Sequence, residues 1–203
     1  MTDRGASAWR AIRLRDRAAR CGIGHSGVGV DPGGISARGI WGKAVAEGVY
    51  EYNGPGFSPM GDKGRFVLPA KFRKTLKDSN AGEKYLYLDK HPFYPCLIGF
   101  GAPYKAELSS GIQADAANPR ERASMRMQLY SFFDVPFDES GRFVLPRAYF
   151  KLGRIEDAIY FHGNGPYFTL WNPEVLMAME GEEFLAAQIH CESQLEAARE
   201  RKG

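Results

Sequence analysis

Gly64-Arg65-Phe66-Val67-Leu68-Pro69 recurs letter for letter in the second half of the chain as Gly141-Arg142-Phe143-Val144-Leu145-Pro146. An identity of this length within one chain marks an internal repeat. The flanks agree: Asp62-Lys63 precedes the first copy, Asp138-Glu139-Ser140 the second, and short amphipathic segments follow each proline, Ala70 to Lys77 and Arg147 to Leu152. Asp, Gly and Ser form turns, and Gly accepts a positive φ that other residues avoid. In Phe-Val-Leu the alternation sends Phe66 and Leu68 one way and Val67 the other, as in a half-buried strand. Proline ends the strand, having no N–H for a ladder, and suits the first position of a helix. Phe72 and Leu76 then follow at helical spacing, with Lys71 and Lys74 left for solvent. Turn, strand and helix are all explained without the arginine. An arginine at the turn-to-strand junction of both copies therefore points to an external partner.

Read outward from the repeat, the two halves share one plan. Gly48 to Tyr52 reads as a first strand ended by Asn53-Gly54-Pro55-Gly56. After the first copy come Tyr85 to Leu88 and Cys96 to Phe100, strands joined by a loop around His91-Pro92. Pro103 to Leu108 opens a helix, and Ser109 to Ala117 reads as a loop. Asn118-Pro119 is an N-cap and proline that start a helix running to about Phe133. In the second half Gly153 suits a helix end, Ile159 to His162 and Tyr167 to Trp171 are strands, and Asn172-Pro173-Glu174 caps the next helix. Glu182 to Arg201 is a last helix. Its narrow apolar stripe of Phe184, Ala187, Cys191 and Leu195 is a candidate protein contact.

Composition bounds the function. A chain of 203 residues with 44% hydrophobic and 13% aromatic residues can bury a core. The three cysteines, Cys21, Cys96 and Cys191, are scattered and odd in number, which suits a reducing cytosol. No run approaches a membrane span, so a soluble protein is expected. The net charge of +3 is uneven: residues 1–47 carry a basic excess and the remainder is close to neutral. Binding to nucleic acid must then come from a local patch. Residues 1–47 lack a sustained period, and Gly22 to Gly34 has a disordered composition. That segment is expected to be a disordered basic leader.

The two turn–strand–Leu-Pro–helix units resemble the MraZ family, within the wider AbrB-like swapped-hairpin group. The resemblance covers residues 48–185. It implies an α+β fold of two tandem AbrB-like, swapped-hairpin β-barrel repeats with short helices, followed by a C-terminal helix. The divisions would be 1–47 (leader), 48–117 (first repeat), 118–185 (linking helix and second repeat) and 186–203 (C-terminal helix). The family implies a cytoplasmic, nucleoid-associated transcription regulator that forms ring-shaped homo-oligomers. It would bind direct repeats in the promoter of a division and cell-wall gene cluster, without cofactor, membrane or small-molecule substrate. The family carries an Asp-x-x-x-Arg motif in each half. Asp138-Glu139-Ser140-Gly141-Arg142 fits it in full, whereas the first copy has Gly61 in place of the aspartate, with Asp62 beside it.

The DNA-binding candidates are Lys63, Arg65, Arg73, Arg142 and Arg147; the turn-locking candidates are Asp62, Gly64, Asp138 and Gly141. Arginine suits bidentate contact with guanine edges. Lys63, Lys71, Arg73, Arg147 and Lys151 either hold phosphates, which position a protein without reading sequence, or form a solvated helix face. An Asp and an Arg across a turn also make a weak local ion pair. Two other readings stay open: an AbrB-like regulator or antitoxin of another operon, and an oligomeric scaffold that has lost DNA binding. No catalytic or metal-binding residues are expected. His91, His162 and His190 are far apart, His190-Cys191 lacks zinc-site spacing, and no phosphate-cradling loop or nucleophile elbow occurs.

Overall fold

The computed structural model describes residues 50–200 apart from 116–118, 121–122, 124–125 and 128–130. The expected leader and much of the expected helix from Asn118 lie outside the described residues. The elements are β1 (Pro55–Pro59), a 3-10 turn (Asp62–Gly64), β2 (Arg65–Val67), α1 (Ala70–Ser79), β3 (Tyr85–Lys90), β4 (Leu97–Phe100), α2 (Ala102–Asp115), β5 (Phe133–Pro136), β6 (Arg142–Val144), α3 (Arg147–Leu152), β7 (Ala158–Gly163), β8 (Phe168–Trp171), α4 (Pro173–Met177) and α5 (Glu182–Glu200). The fold is α+β, and its named strand pairs are antiparallel.

A six-stranded sheet runs β1-β7-β8-β4-β3-β5, and a separate two-stranded ribbon joins β2 to β6. A two-stranded hairpin alone is marginal in water. Here the hairpin β3–β4 gains β5 from the second half, and the hairpin β7–β8 gains β1 from the first. The hairpins meet where β4 pairs with β8. The two halves are therefore interleaved strand by strand.

The alternation within the repeated stretch holds in both copies. Phe66, Leu68, Phe143 and Leu145 are buried, whereas Val67 and Val144 are exposed. Phe66 and Phe143 pair across the ribbon with ring centroids 6.0 Å apart. They share one core with Phe72, Leu76, Tyr149, Phe161 and Phe168. Each such buried side chain contributes about 1.5–3 kcal/mol relative to exposure. Pro69 and Pro146 stand one place earlier than expected, as the N-caps of α1 and α3. Asn172 caps α4 as expected, its side chain accepting from the Glu174 N–H at 2.9 Å with proline next to it.

Several expectations are overturned. Tyr50 and Glu51 are not in a strand; Tyr52 makes only a bridge to Gly165 and turns its ring into the core beside Phe72 and Phe168. The first strand is instead the proline-bounded Pro55–Pro59, expected in part as a turn. It lies at a sheet edge, where a missing ladder donor is tolerated. A side chain at Gly56 would collide with the Pro69 ring, so this strand needs glycine to lie against the start of α1. The expected loop from Ser109 is helical through Asp115, because Tyr104 and Leu108 bury one face of α2 beside Ile98 and Phe100. The Ser109 and Ser110 hydroxyls turn back to the helix carbonyls of Lys105 and Glu107. Phe133 does not end a helix but opens β5, drawn into the sheet by pairing with Leu88. The stripe on α5 is internal rather than a protein contact. Phe184, Ala187 and Cys191 bury against Tyr160, Trp171, Leu176 and Cys96, which closes the second half.

Candidate nucleic-acid interface

Each arginine of the repeat leaves a three-residue loop whose ends are tied by backbone bonds. In the second loop the Asp138 N–H donates to the Arg142 carbonyl at 2.9 Å, and the Gly141 N–H to the Asp138 carbonyl at 2.8 Å. The first loop repeats both bonds, Gly61 N–H to Arg65 O at 2.8 Å and Gly64 N–H to Gly61 O at 3.2 Å. Gly64 and Gly141 both adopt positive φ, 69° and 81°. Leu68 N–H reaches across to Gly141 O at 2.8 Å, joining the first copy to the second loop.

The side chains differ where the backbones agree. Asp138 Oδ1 accepts from the N–H groups of Ser140 and Arg142 at 2.9 and 2.8 Å. The Arg142 N–H bond, joined by that of Ser140 and by the charges of Arg142 and Arg65, holds this carboxyl below the usual aspartate range. Gly61 offers no such acceptor, and Asp62 is exposed. The first loop instead places Lys63 at φ 62°, next to Gly64, so that two consecutive left-handed residues make the turn. For a residue with a side chain that conformation costs roughly 1–2 kcal/mol.

The register of the ribbon decides where the arginines lie. Arg65 pairs with Val144, Phe66 with Phe143 and Val67 with Arg142. With both phenylalanines in the core, Arg65, Val67, Arg142 and Val144 share the outer face, the two arginines on one diagonal. Diagonal neighbours of this kind lie about 7–8 Å apart. Arg65 and Arg142 line one shallow cleft of about 350 Å³ with Asp138 and Val144. The Arg142–Asp138 ion pair is long, 3.9 Å, and half-exposed. Such pairs contribute little, which leaves the guanidinium available.

Of the other candidates, Lys63 is exposed in the first loop, and Arg73 of α1 lies over Gly141, where an added Cβ would stand 3.1 Å from its Cδ. Arg147 is exposed at the start of α3, beyond the end of β6 that lies beside Arg65. Lys77 and Lys84, not singled out in the sequence, hold Glu139 of the second loop. The Lys84 hydrogen bond keeps that carboxyl ionised to lower pH than usual. Ser58 was also not singled out; it is buried and its Oγ accepts from the Val67 N–H at 2.8 Å, fixing the ribbon to β1. A lone serine in a Pro-rich stretch carries no signal for that role. Among the described residues no group of three or more His, Cys, Asp or Glu is placed to hold a metal ion, and no helix is long and apolar enough to cross a membrane.

No family model matches the chain. It is similar, however, to proteins named transcriptional regulator MraZ. The relative from Chlorobium phaeobacteroides is 31% identical over 132 residues, covering 63% of this chain and 87% of the relative. That from Gluconacetobacter diazotrophicus is 31% identical over 113 residues, covering 55% and 72%. The chain belongs to the MraZ family. A MraZ relative from Roseiflexus castenholzii, 27% identical, aligns over 146 residues and 93% of its own length. Of the two loops, the second carries an Asp–Arg pair four residues apart, Asp138 and Arg142. The first has Gly61 at the position of that aspartate and turns through left-handed Lys63 and Gly64, with the same two backbone bonds.

Proposed function

We propose that the protein is a sequence-specific, DNA-binding transcription regulator that presents Arg65 and Arg142 from one β-ribbon to the bases. The observation that carries this reading is their shared diagonal on the outer face of β2–β6, Arg142 exposed and Arg65 half-buried, opposite the side that packs in the core. A two-stranded ribbon fits the DNA major groove, and arginine pairs with the O6 and N7 of guanine. Lys63, Arg73 and Arg147 surround the ribbon as phosphate contacts, and Asp138, Gly64 and Gly141 shape the loops. The relatives' name, transcriptional regulator, agrees with this reading.

The repeats at 48–117 and 118–185 are, in this reading, two AbrB-like halves of one swapped-hairpin unit; the exchange of β1 and β5 between hairpins supports it. The regulator acts without cofactor or enzymatic activity, in the cytoplasm and on the nucleoid. Its targets are direct repeats in the promoter of a division and cell-wall gene cluster. It assembles as a homo-oligomer, a ring in the MraZ manner; Leu185 and Ile189, one turn apart on the outer face of α5 and each 56% exposed, are available for that contact. The test is titration of the promoter DNA at fixed salt with wild type, Arg65→Ala, Arg142→Ala and the double variant, alongside thermal melts. Each lost base contact should cost about 1–3 kcal/mol with the melt unchanged. Undiminished binding by a folded double variant would refute the assignment.

A further inference from the structure

We infer that Val67 and Val144 read the C5-methyl groups of thymines flanking the guanines that Arg65 and Arg142 engage. This inference rests on the ribbon's being the DNA-facing surface. Both copies of the repeat place an exposed valine, 44% and 56% accessible, between core side chains that are nearly inaccessible. The register sets Val144 beside Arg65 and Val67 beside Arg142, so each arginine has an apolar neighbour directly across the ribbon. Neighbours across an antiparallel pair lie about 4.5–5.5 Å apart at Cα. The two Arg–Val rows, two residues apart along the strands, are separated by about 6.6–6.8 Å, or two base-pair steps of about 3.4 Å. The four side chains thus span about three base pairs.

The major groove offers many donors and acceptors but one apolar feature, the thymine methyl. A valine there can form no hydrogen bond, so the methyl is the group that complements it. Strand propensity alone is served as well by threonine, which is also β-branched and would not leave two apolar patches on a solvent face beside two charges. Val67 is also held in place, its N–H given to the buried Ser58. Arginine and valine together then specify guanine with thymine close by.

The full-length protein is first used to select a duplex from a randomised synthetic library. The selected duplex is then remade with deoxyuridine at one thymidine at a time, which removes only the methyl. Loss of affinity of about fourfold per contacted methyl is expected, confined to thymines within about three base pairs of the guanines whose contact is lost in Arg65→Ala or Arg142→Ala. The Val67→Ser, Val144→Ser double variant should bind thymidine and deoxyuridine duplexes equally, and Val67→Ile, Val144→Ile should keep the difference. If the serine variant does not melt cooperatively, the deoxyuridine scan and the isoleucine variant decide. Selective binding with no methyl dependence in wild type, or unchanged methyl dependence in the serine variant, overturns the inference while leaving the arginine reading intact. Failure to select any sequence, or selection indifferent to both arginines, would remove the reading beneath it.

Discussion

Gly64 and Gly141 are the same residue of the repeat, with similar positive φ, yet their surroundings differ. Replacing each by alanine therefore separates backbone strain from packing. A left-handed alanine costs roughly 1–2 kcal/mol, offset by about 0.4–1 kcal/mol from the stiffer unfolded chain. Gly64→Ala meets nothing closer than Met60 Sδ at 4.0 Å, so its net cost should be about 0–1.6 kcal/mol. Gly141→Ala carries the same strain but places its Cβ 3.1 Å from Arg73 Cδ and 3.3 Å from the Leu68 carbonyl oxygen. Arg73 can swing away; the Leu68 backbone cannot, being tied to Gly141 O at 2.8 Å. Overpacking of this sort adds about 1–3 kcal/mol. The unfolded-state gain is common to both variants and cancels in their difference. Urea melts should thus show Gly141→Ala less stable than Gly64→Ala by at least about 1 kcal/mol, or about 2–4 °C in Tm for a chain of this size. Because Arg73 is displaced, DNA affinity should fall more in Gly141→Ala as well. Equal losses, or a larger loss at Gly64, would refute the placing of α1 against the second loop.

Asp138 has a depressed pKa, caused first by the Arg142 N–H. A carboxyl ionised more readily in the folded than in the unfolded state, where its value is about 3.9, stabilises above that pH and loses its contribution as pH falls toward the folded value. The Tm advantage of wild type over Asp138→Ala should be present at pH 7 and narrower at pH 3; an advantage unchanged between them would exclude the charged carboxylate as the lock. Phe184 is 6% exposed, with its ring 5.1 Å from that of Tyr94 and 5.9 Å from that of Trp171. Phe184→Ala should cost about 3–5 kcal/mol in urea denaturation and alter Trp171 fluorescence; a loss below about 1 kcal/mol would mean that α5 is not part of the core.

What the sequence disclosed was local. Two-residue alternation is enough to bury Phe66 and Leu68 and expose Val67, and Asn172-Pro173 suffices to cap a helix, because each depends only on nearby neighbours. The paired turns were legible for the same reason. Tertiary contacts were not. Pro55–Pro59 looks like a turn until β7 accepts it at an edge, and Ser109 onward looks like a loop until Leu108 is buried. The α5 stripe, expected to meet another protein, packs within this chain; no pattern within the helix says to which chain the contacted surface belongs. Nor could spacing reveal that Arg65 and Arg142, far apart in sequence, come together; that follows only from the pairing of Phe66 with Phe143.

The interleaving of the halves bears on how the chain between them can vary. The distance between Arg65 and Arg142 is set by hydrogen bonds within β2–β6 rather than by the length of chain that connects the repeats. For a flexible connection of any length, the closure entropy grows only logarithmically with the number of residues joined. Insertions between α2 and β5 should therefore leave the spacing of Arg65 and Arg142 unchanged. Cutting the chain between α2 and β5 should leave two complementary pieces, each lacking one strand of its own hairpin sheet. Reassembled from separate chains, they would restore the same diagonal of arginines.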